Sequence, residues 1–202
     1  MSNQIASPSD GGTPRQSAPV GDPSPLGFAG FAATLFLLGL VYAQVLSGKA
    51  TYVVLPLALV YGGVAELLAG MWEFRRGNTF GAVAFTSYGA FWITYFVLNQ
   101  YFGSAATAYQ AIGYLLLTWT IFTAYMLIAS MRTNGAVFLV FLTLTITLAV
   151  FTAGEFDHNV NILKGGGIVA IITAALSWYA SLAGVVNTTW KKRILPVWPL
   201  DS

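Results

Sequence analysis

Long apolar runs, separated by short groups of glycine, proline, asparagine or charged residues, occupy most of the chain from residue 26 onwards. Each run is close to the ~20 residues that an α-helix needs to cross the hydrocarbon core of a bilayer. The runs predict six membrane-spanning helices, at residues 26–46, 53–72, 79–102, 108–131, 136–155 and 167–186. Because the connections are short, consecutive helices should pack as antiparallel neighbours. The pattern therefore predicts an all-α membrane protein, a six-transmembrane-helix bundle.

Residues 1–22 are rich in Ser, Pro, Gly and Gln and have no hydrophobic period, which predicts a disordered N-terminal tail. This tail does not have the pattern of a signal peptide, because the first apolar run begins only at Leu26. Residues 23–190 contain the six helices, and residues 191–202 form a basic C-terminal tail.

Two glycine clusters interrupt the apolar runs. We predict that Gly62–Gly63 breaks the second helix beside a pore and that Gly165–Gly167 lies in a loop.

Only 8% of the 202 residues are charged, against about 25% in an ordinary globular protein, so a typical soluble fold is excluded. The chain has no Cys and a single His, His158, which excludes Cys-based zinc sites, disulfides and iron–sulfur clusters. We therefore expect no metal and no cofactor. A net charge of +2 gives no reason to expect nucleic acid as a partner. An intramembrane enzyme would lack a plausible catalytic group other than Glu66, so we do not expect an enzyme.

Basic residues are distributed unequally between the two sides of the predicted bundle. Seven of the nine lie in the tails or in the loops after the second and fourth helices, and two lie in the opposite loops. The first group is Arg15, Arg75, Arg76, Arg132, Lys191, Lys192 and Arg193, and the second is Lys49 and Lys164. By the positive-inside rule, both termini should be cytoplasmic, in a multi-pass protein of the cytoplasmic membrane.

Glu66 lies deep inside the second predicted helix, where an acidic side chain costs a few kcal/mol. Such a residue usually faces a cavity and has a function, although a neutral Glu that is hydrogen-bonded to a neighbouring helix would also fit. Glu73 shares its helical face but lies at the membrane edge beside Arg75 and Arg76, where a salt bridge that anchors the loop is expected. His158, next to Asp157 in an outer loop, is either solvated or a pH sensor.

An aromatic stripe runs along the third predicted helix, formed by Phe85, Tyr88, Trp92 and Tyr95 at spacings of three and four. A stripe of this kind either packs against other helices or lines a substrate path. Tyr88 favours the path, because it would lie below the interfacial zone where Tyr is common and its hydroxyl needs a polar partner there.

Three segments carry a resemblance to a known family. They are Tyr-Gly-Gly-Val-Ala-Glu at 61–66, Ala-Gly-Met-Trp-Glu-Phe-Arg-Arg-Gly-Asn-Thr-Phe-Gly at 69–81 and Phe-Thr-Ser-Tyr-Gly-Ala-Phe-Trp at 85–92. Together they resemble the signature of the acetate uptake transporter family, which includes bacterial succinate-acetate permeases and yeast acetate and ammonia-export proteins. Asp-Pro-Ser-Pro-Leu-Gly-Phe at 22–28 is similar to the family's Asn-Pro-Ala-Pro-Leu-Gly-Leu motif. The departures are Asp22, Ser24, Phe28 and, above all, Glu66, where relatives carry Gln.

The resemblance implies a homo-hexamer of six-helix protomers, each with its own path for acetate, related short monocarboxylates or succinate. It also implies that Phe31, Tyr88 and Leu144 narrow this path and that the N-terminal motif handles substrate at one mouth. Acetate is a buried charge unless hydrogen-bond donors replace its water. We expect these donors at Tyr88, Thr34, Ser87 and the backbone around Pro25, Leu26 and Gly27, at a helix N-terminus.

An ionised Glu66 in the path would repel a carboxylate, so we predict that substrate moves with a proton or that Glu66 carries this proton. The predicted function is therefore proton-coupled transport of acetate and related carboxylates. One alternative is a passive channel for a small anion or solute such as acetic acid, urea or ammonia, since the family resembles proton-gated urea channels. Another alternative is a sensory or structural membrane protein without transport. A retinal-binding photoreceptor is disfavoured among these, because no Lys lies inside a predicted helix to form the Schiff base.

Overall fold

The computed structural model describes residues 20–102 and 109–200, so most of the predicted N-terminal tail and the last two residues of the C-terminal tail lie outside it. The described ranges contain six helices long and apolar enough to span a membrane, which confirms the predicted number. In chain order they are α1 (Ser24–Tyr42), a composite second span, α4 (Thr79–Phe102), α5 (Tyr109–Ser130), α6 (Gly135–Phe156) and α7 (Val160–Thr189). The second span consists of a 3₁₀ turn (Gly48–Ala50), α2 (Thr51–Leu57), a π-helical segment (Ala58–Ala65) and α3 (Glu66–Arg76).

The second span is continuous, so the predicted break at Gly62–Gly63 is wrong. The chain widens there into the π-helical segment instead. Both glycines are buried at close helix contacts: a Cβ on Gly62 would lie 2.5 Å from the Thr34 hydroxyl oxygen, and one on Gly63 would lie 2.7 Å from the Ile93 side chain. Small residues let helix backbones approach closely where lipid supplies no hydrophobic driving force. These glycines therefore serve packing.

Helix α7 begins at Val160, about two turns before the predicted start. The Asn159 side chain accepts hydrogen bonds from the amides of Asn161 and Ile162 and so caps the helix. The predicted loop at Gly165–Gly167 is consequently wrong, since this cluster lies inside α7. A Cβ on Gly166 would meet the Phe151 ring, so the glycine allows α7 to pack closely on α6.

The core is built around α1, which packs against α7, the π-helical segment, α3 and α4, while α6 packs between α5 and α7. As the first, third and fifth spans, α1, α4 and α6 run in the same direction. All three begin at the face of the bundle where the described ends of the chain lie, which we call the terminal face; the other is the distal face.

The C-terminal segment after α7 packs back across the terminal face. The Asn187 side chain accepts from the amides of Ile194 and Leu195, and the Gly135 amide at the start of α6 donates to the Trp198 carbonyl at 2.7 Å. Tyr179 donates to the Pro196 carbonyl at 2.7 Å. This segment of the predicted basic tail, up to residue 200, therefore forms part of the packed structure.

Candidate functional site

Two cavities enter the bundle from opposite faces. The distal cavity, of about 350 Å³, lies among α1, α4, α5 and α6. Its lining includes Phe31, Tyr42, Tyr88, Trp92, Tyr95, Asn99, Trp119, Leu144, Thr147, Phe151 and Glu155. The terminal cavity, of about 290 Å³, includes Asp22, Ser24, Pro25, Phe28, Asn78, Phe85, Asn134, Phe141, Asn187 and Val197 in its lining.

An apolar barrier separates the two cavities. The barrier is formed by α1, α4 and α6, which run in the same direction. On each of them, a residue in the wall of the terminal cavity is followed three residues later by one in the wall of the distal cavity. The first layer is Phe28, Phe85 and Phe141, and the second is Phe31, Tyr88 and Leu144. All six are at most 9% exposed. Since three residues are about one helical turn, the layers lie close together.

Ring contacts hold this barrier together. The centroids of Phe28 and Phe85 are 5.1 Å apart, those of Phe31 and Tyr88 are 5.6 Å apart, and those of Tyr88 and Phe141 are 6.2 Å apart. The structure thus brings together the three residues that the resemblance places at the narrowest point. The aromatic stripe of α4 spans the barrier, because Phe85 lines the terminal cavity while Tyr88, Trp92 and Tyr95 line the distal one.

The Tyr88 hydroxyl has a partner that the sequence did not reveal. It lies 2.8 Å from the Thr123 hydroxyl, which donates its single proton to the Trp119 carbonyl at 2.7 Å. With the Thr123 proton on that carbonyl, Tyr88 donates to Thr123, and in this arrangement its proton is not free for a carboxylate. Of the other predicted donors, Thr34 bonds to the Gly30 carbonyl and Ser87 is half-buried, and both lie outside the two cavities.

Of the three motif residues expected to present their backbone to substrate, only Pro25 lines the terminal cavity, and its carbonyl accepts from the Ser181 hydroxyl at 2.7 Å. Leu26 is 44% exposed, and Gly27 is buried against the Phe85 ring. The amides of both donate to the Pro23 carbonyl, at 3.1 and 3.2 Å. These two amides are therefore engaged inside the first turn of α1 and are not free to bind an anion.

Glu66 is buried, with 1% of its surface exposed, but it lines neither cavity. Among the described residues, its Oε2 atom has no hydrogen-bond partner, and the same holds for Thr86 Oγ1 and Trp92 Nε1 on the facing helix α4. A Cβ on Gly62 would touch Trp92 and one on Gly70 would touch Thr86, and these glycines lie four residues on either side of Glu66. The three unpartnered atoms therefore belong to one buried strip along the α3–α4 interface.

Glu73 links two of the segments that carry the family resemblance, 22–28 and 69–81, at the terminal face. Its carboxylate accepts from the Ser24 hydroxyl at 2.5 Å and from the Asn78 amide at 2.9 Å, and Arg76 lies 3.6 Å away. The predicted ion pair with the basic loop is confirmed for Arg76, although Glu73 is fully buried. Arg76 also pairs with Asp22 at 2.6 Å, so the cluster ties the start of α1 to the loop before α4.

Glu155 is the residue that sequence reasoning missed. The helix predicted at 136–155 places it at a helix end, but it is only 8% exposed and lines the distal cavity. A signal was present in the spacing, because Leu144, Leu148, Phe151 and Glu155 recur every three or four residues and so share one face of α6.

Within the described ranges, no group of three His, Asp or Glu side chains could hold a metal ion.

Comparison with known proteins supports the resemblance. A model of the GPR1/FUN34/yaaH family matches residues 6–202. The chain is 35% identical over 194 residues to acetate permease A of Emericella nidulans, covering 87% of this chain and 65% of the permease. It is 34% identical over 181 residues to the succinate-acetate/proton symporter SatP of Escherichia coli strain K12, covering 87% and 94%. The chain spans about two thirds of the length of the fungal relatives.

The fold is also similar to a solved structure. The structure of the bacterial acetate channel SatP superposes with a TM-score of 0.83 at 31% sequence identity, covering 89% of this chain and 99% of that one. The similarity therefore extends through nearly the whole bundle.

Proposed function

The chain belongs to the GPR1/FUN34/yaaH family, and from this premise we propose that it transports acetate and related short-chain carboxylates, succinate among them, together with protons. It is a multi-pass membrane protein. The observation that carries the proposal is the pair of cavities that reach one apolar barrier from opposite faces of a single chain. This arrangement supports a path through each protomer, which is compatible with a homo-hexamer in the bilayer. The distribution of basic residues supports a cytoplasmic terminal face.

The barrier favours passage of the substrate with its proton. Phe31 and Leu144 offer no hydrogen-bond donor, and the proton of Tyr88 is engaged by Thr123. A bare carboxylate would lose its water there without replacement, which costs far more than the same step for the neutral acid. The apolar layers also suit the methyl end of acetate.

Glu66 is the proposed carrier of this proton. A carboxyl group that is buried without a cationic partner is most stable with its proton bound, and the described ion pairs near it involve Asp22, Glu73 and Arg76 only. The unpartnered polar atoms of Thr86 and Trp92 lie along the same buried strip. Since Trp92 also lines the distal cavity, this strip offers a connection between Glu66 and the path.

The transport proposal is tested by uptake of labelled acetate into proteoliposomes, with the flux of protein-free vesicles subtracted. We expect uptake well above that background, and competition by propionate and succinate but not by urea. Absence of protein-dependent flux would favour a sensory or structural role. Competition by urea would favour the passive channel for small solutes, which the apolar barrier also suits. The solved relative is described as an acetate channel.

Replacing Glu66 by Gln is expected to lower proton-coupled uptake about tenfold, since the amide keeps the shape of the carboxyl but cannot release a proton. Labelled acetate and internal pH, read by an entrapped dye, are measured together at several potentials set with valinomycin. The unchanged protein should acidify the lumen as acetate accumulates, independently of potential. If Glu66→Gln leaves the uptake, its pH dependence and the acidification unaltered, Glu66 is not the proton carrier.

A further inference from the structure

Glu155 places a carboxyl group in the wall of the distal cavity. It is the last residue but one of α6, and the other residues that line this cavity are aliphatic, aromatic, Thr or Asn. Three of these, Tyr42, Tyr88 and Tyr95, carry phenolic hydroxyls that are neutral at physiological pH. An ionised Glu155 would therefore give the cavity a net negative charge.

Within residues 20–102 and 109–200, this carboxylate has no ion-pair partner in direct contact, and the charge that acts on it through space is that of His158. Among the described residues, no Lys, Arg or His nitrogen lies within 4.0 Å of it. In the parts of the surrounding elements nearest the distal face, the titratable groups are Tyr42 on α1, Tyr95 and Tyr101 on α4, Tyr109 and Tyr114 on α5, Lys164 on α7, Lys49 before α2, and Asp157 and His158 in the connection after α6. Lys49, Lys164, Asp157 and His158 are exposed to solvent, and the His158 ring contacts Tyr109.

We propose that Glu155 controls access of carboxylate anions to the distal cavity: its ionised form repels them, and its protonated form admits them. This proposal rests on the proposed function, and it assigns to Glu155 a role distinct from that of Glu66. Glu66 lines neither cavity, whereas Glu155 faces the space that substrate must occupy before it reaches the barrier. Two charges of the same sign in a space with low-dielectric walls repel each other more strongly than they do in water.

The position of Glu155 determines which step it affects. It lies eleven residues after Leu144 on the same face of α6, which places it about 16 Å from the barrier along the helix axis. A charge at this distance acts on the concentration of anion in the cavity rather than on the crossing of the barrier. The effect should therefore appear in KM, with little change in the maximal rate.

The transport test compares Glu155→Gln with the unchanged protein at pH 7.5 and pH 5.5. We expect the KM for acetate at pH 7.5 to fall about tenfold in Glu155→Gln, with the maximal rate within about twofold. At pH 5.5 the two proteins should differ less, because the negative charge of a carboxyl group decreases as the pH falls. Glu155→Asp, which keeps the charge, should retain the original pH profile, and Asp157→Asn, which removes an exposed charge nearby, should not change it.

A second measurement does not depend on transport. The chain contains no Cys, so Leu115→Cys introduces a single thiol in the wall of the distal cavity. Its rates of modification by an anionic and by a cationic thiosulfonate are compared at pH 7.5, and their ratio cancels the reactivity of the thiol itself. Adding Glu155→Gln should raise the anionic-to-cationic ratio about tenfold. The same ratio at Ala180→Cys, in the terminal cavity, should not change.

The two measurements separate the possible failures. If the unchanged protein takes up no acetate but the ratio at Leu115→Cys responds to Glu155→Gln, the proposed function fails and the electrostatic role of Glu155 stands. If acetate is transported while both the KM and the ratio are the same with and without Glu155, the role assigned to Glu155 is wrong.

Discussion

Replacing Gly89 by Leu is expected to prevent the bundle from assembling. A Cβ at this position would lie 2.7 Å from the Leu67 amide nitrogen and 2.8 Å from the Gly63 carbonyl oxygen, which are backbone atoms of the second span and cannot rotate away. The helices α3 and α4 would have to separate along their whole contact. Since lipid offers no hydrophobic force to hold them together, the lost packing is not compensated. We expect no monodisperse protein in detergent by size-exclusion chromatography.

The smaller change Gly89→Ala should give a graded result. Overpacking of a tight contact costs about 1–3 kcal/mol, which corresponds to a decrease in Tm of about 2–12 °C for a chain of this length. Gly165→Leu is the matched control, because a Cβ at Gly165 would meet no atom within 4 Å and leucine favours a helix more than glycine does. If Gly89→Leu and Gly165→Leu give equally stable protein, the close contact of α3 and α4 does not exist in the membrane.

The number of spans could be predicted because it depends on local properties. Length, hydropathy and the near-absence of charge decide whether a segment crosses a bilayer, and these are read directly from consecutive residues. The beginning of α7 was missed because the glycines at 165–167 were interpreted as a loop. The Asn159 cap, which fixes the actual start, is a single side chain acting on two amides.

The candidate site could be predicted only where it follows helical periodicity. The aromatic stripe on α4 was recognised from its spacing, but the partner of Tyr88 is Thr123 on α5, and no pattern within α4 indicates it. The depth of Glu66 within the second span follows from the sequence, which favours a position facing a cavity, whereas its place outside both cavities depends on how α3 is rotated against α1 and α4. That rotation is a property of packing between helices and is not encoded in the hydropathy of either one.

The burial of Glu155 also depends on packing between helices and could not be predicted from its own segment. A carboxylate near a helix end is usually solvated, so its position along the sequence suggested nothing unusual. Its burial results from the neighbouring helices, which enclose the end of α6 and give this side chain a cavity instead of bulk water. Glu66, which lies deeper in its span, is therefore buried between helices and lines neither cavity. Glu155, near a helix end, lines the distal cavity.

Replacing Leu144 by Trp is expected to reduce acetate uptake at least tenfold without unfolding the protein. Leu144 lies in the second layer of the barrier, beside Phe31 and Tyr88, so a larger ring at this position should block movement of substrate past these residues. The ring can extend into the distal cavity of about 350 Å³, which limits the strain that a larger side chain causes in a filled core. Labelled uptake is measured on protein whose size-exclusion profile and Tm match those of the unchanged chain.

Ile146→Trp is the matched control for Leu144→Trp. Ile146 lies two residues further along α6 and is 45% exposed, so it faces away from the barrier and a tryptophan there should leave uptake within about twofold. A block by Leu144→Trp alone would locate the path between the two cavities. Normal uptake by a folded Leu144→Trp protein would mean that substrate does not pass Phe31, Tyr88 and Leu144, and the barrier would then serve packing. Because both variants add the same ring to the same helix, the comparison separates loss of the path from a general effect of bulk.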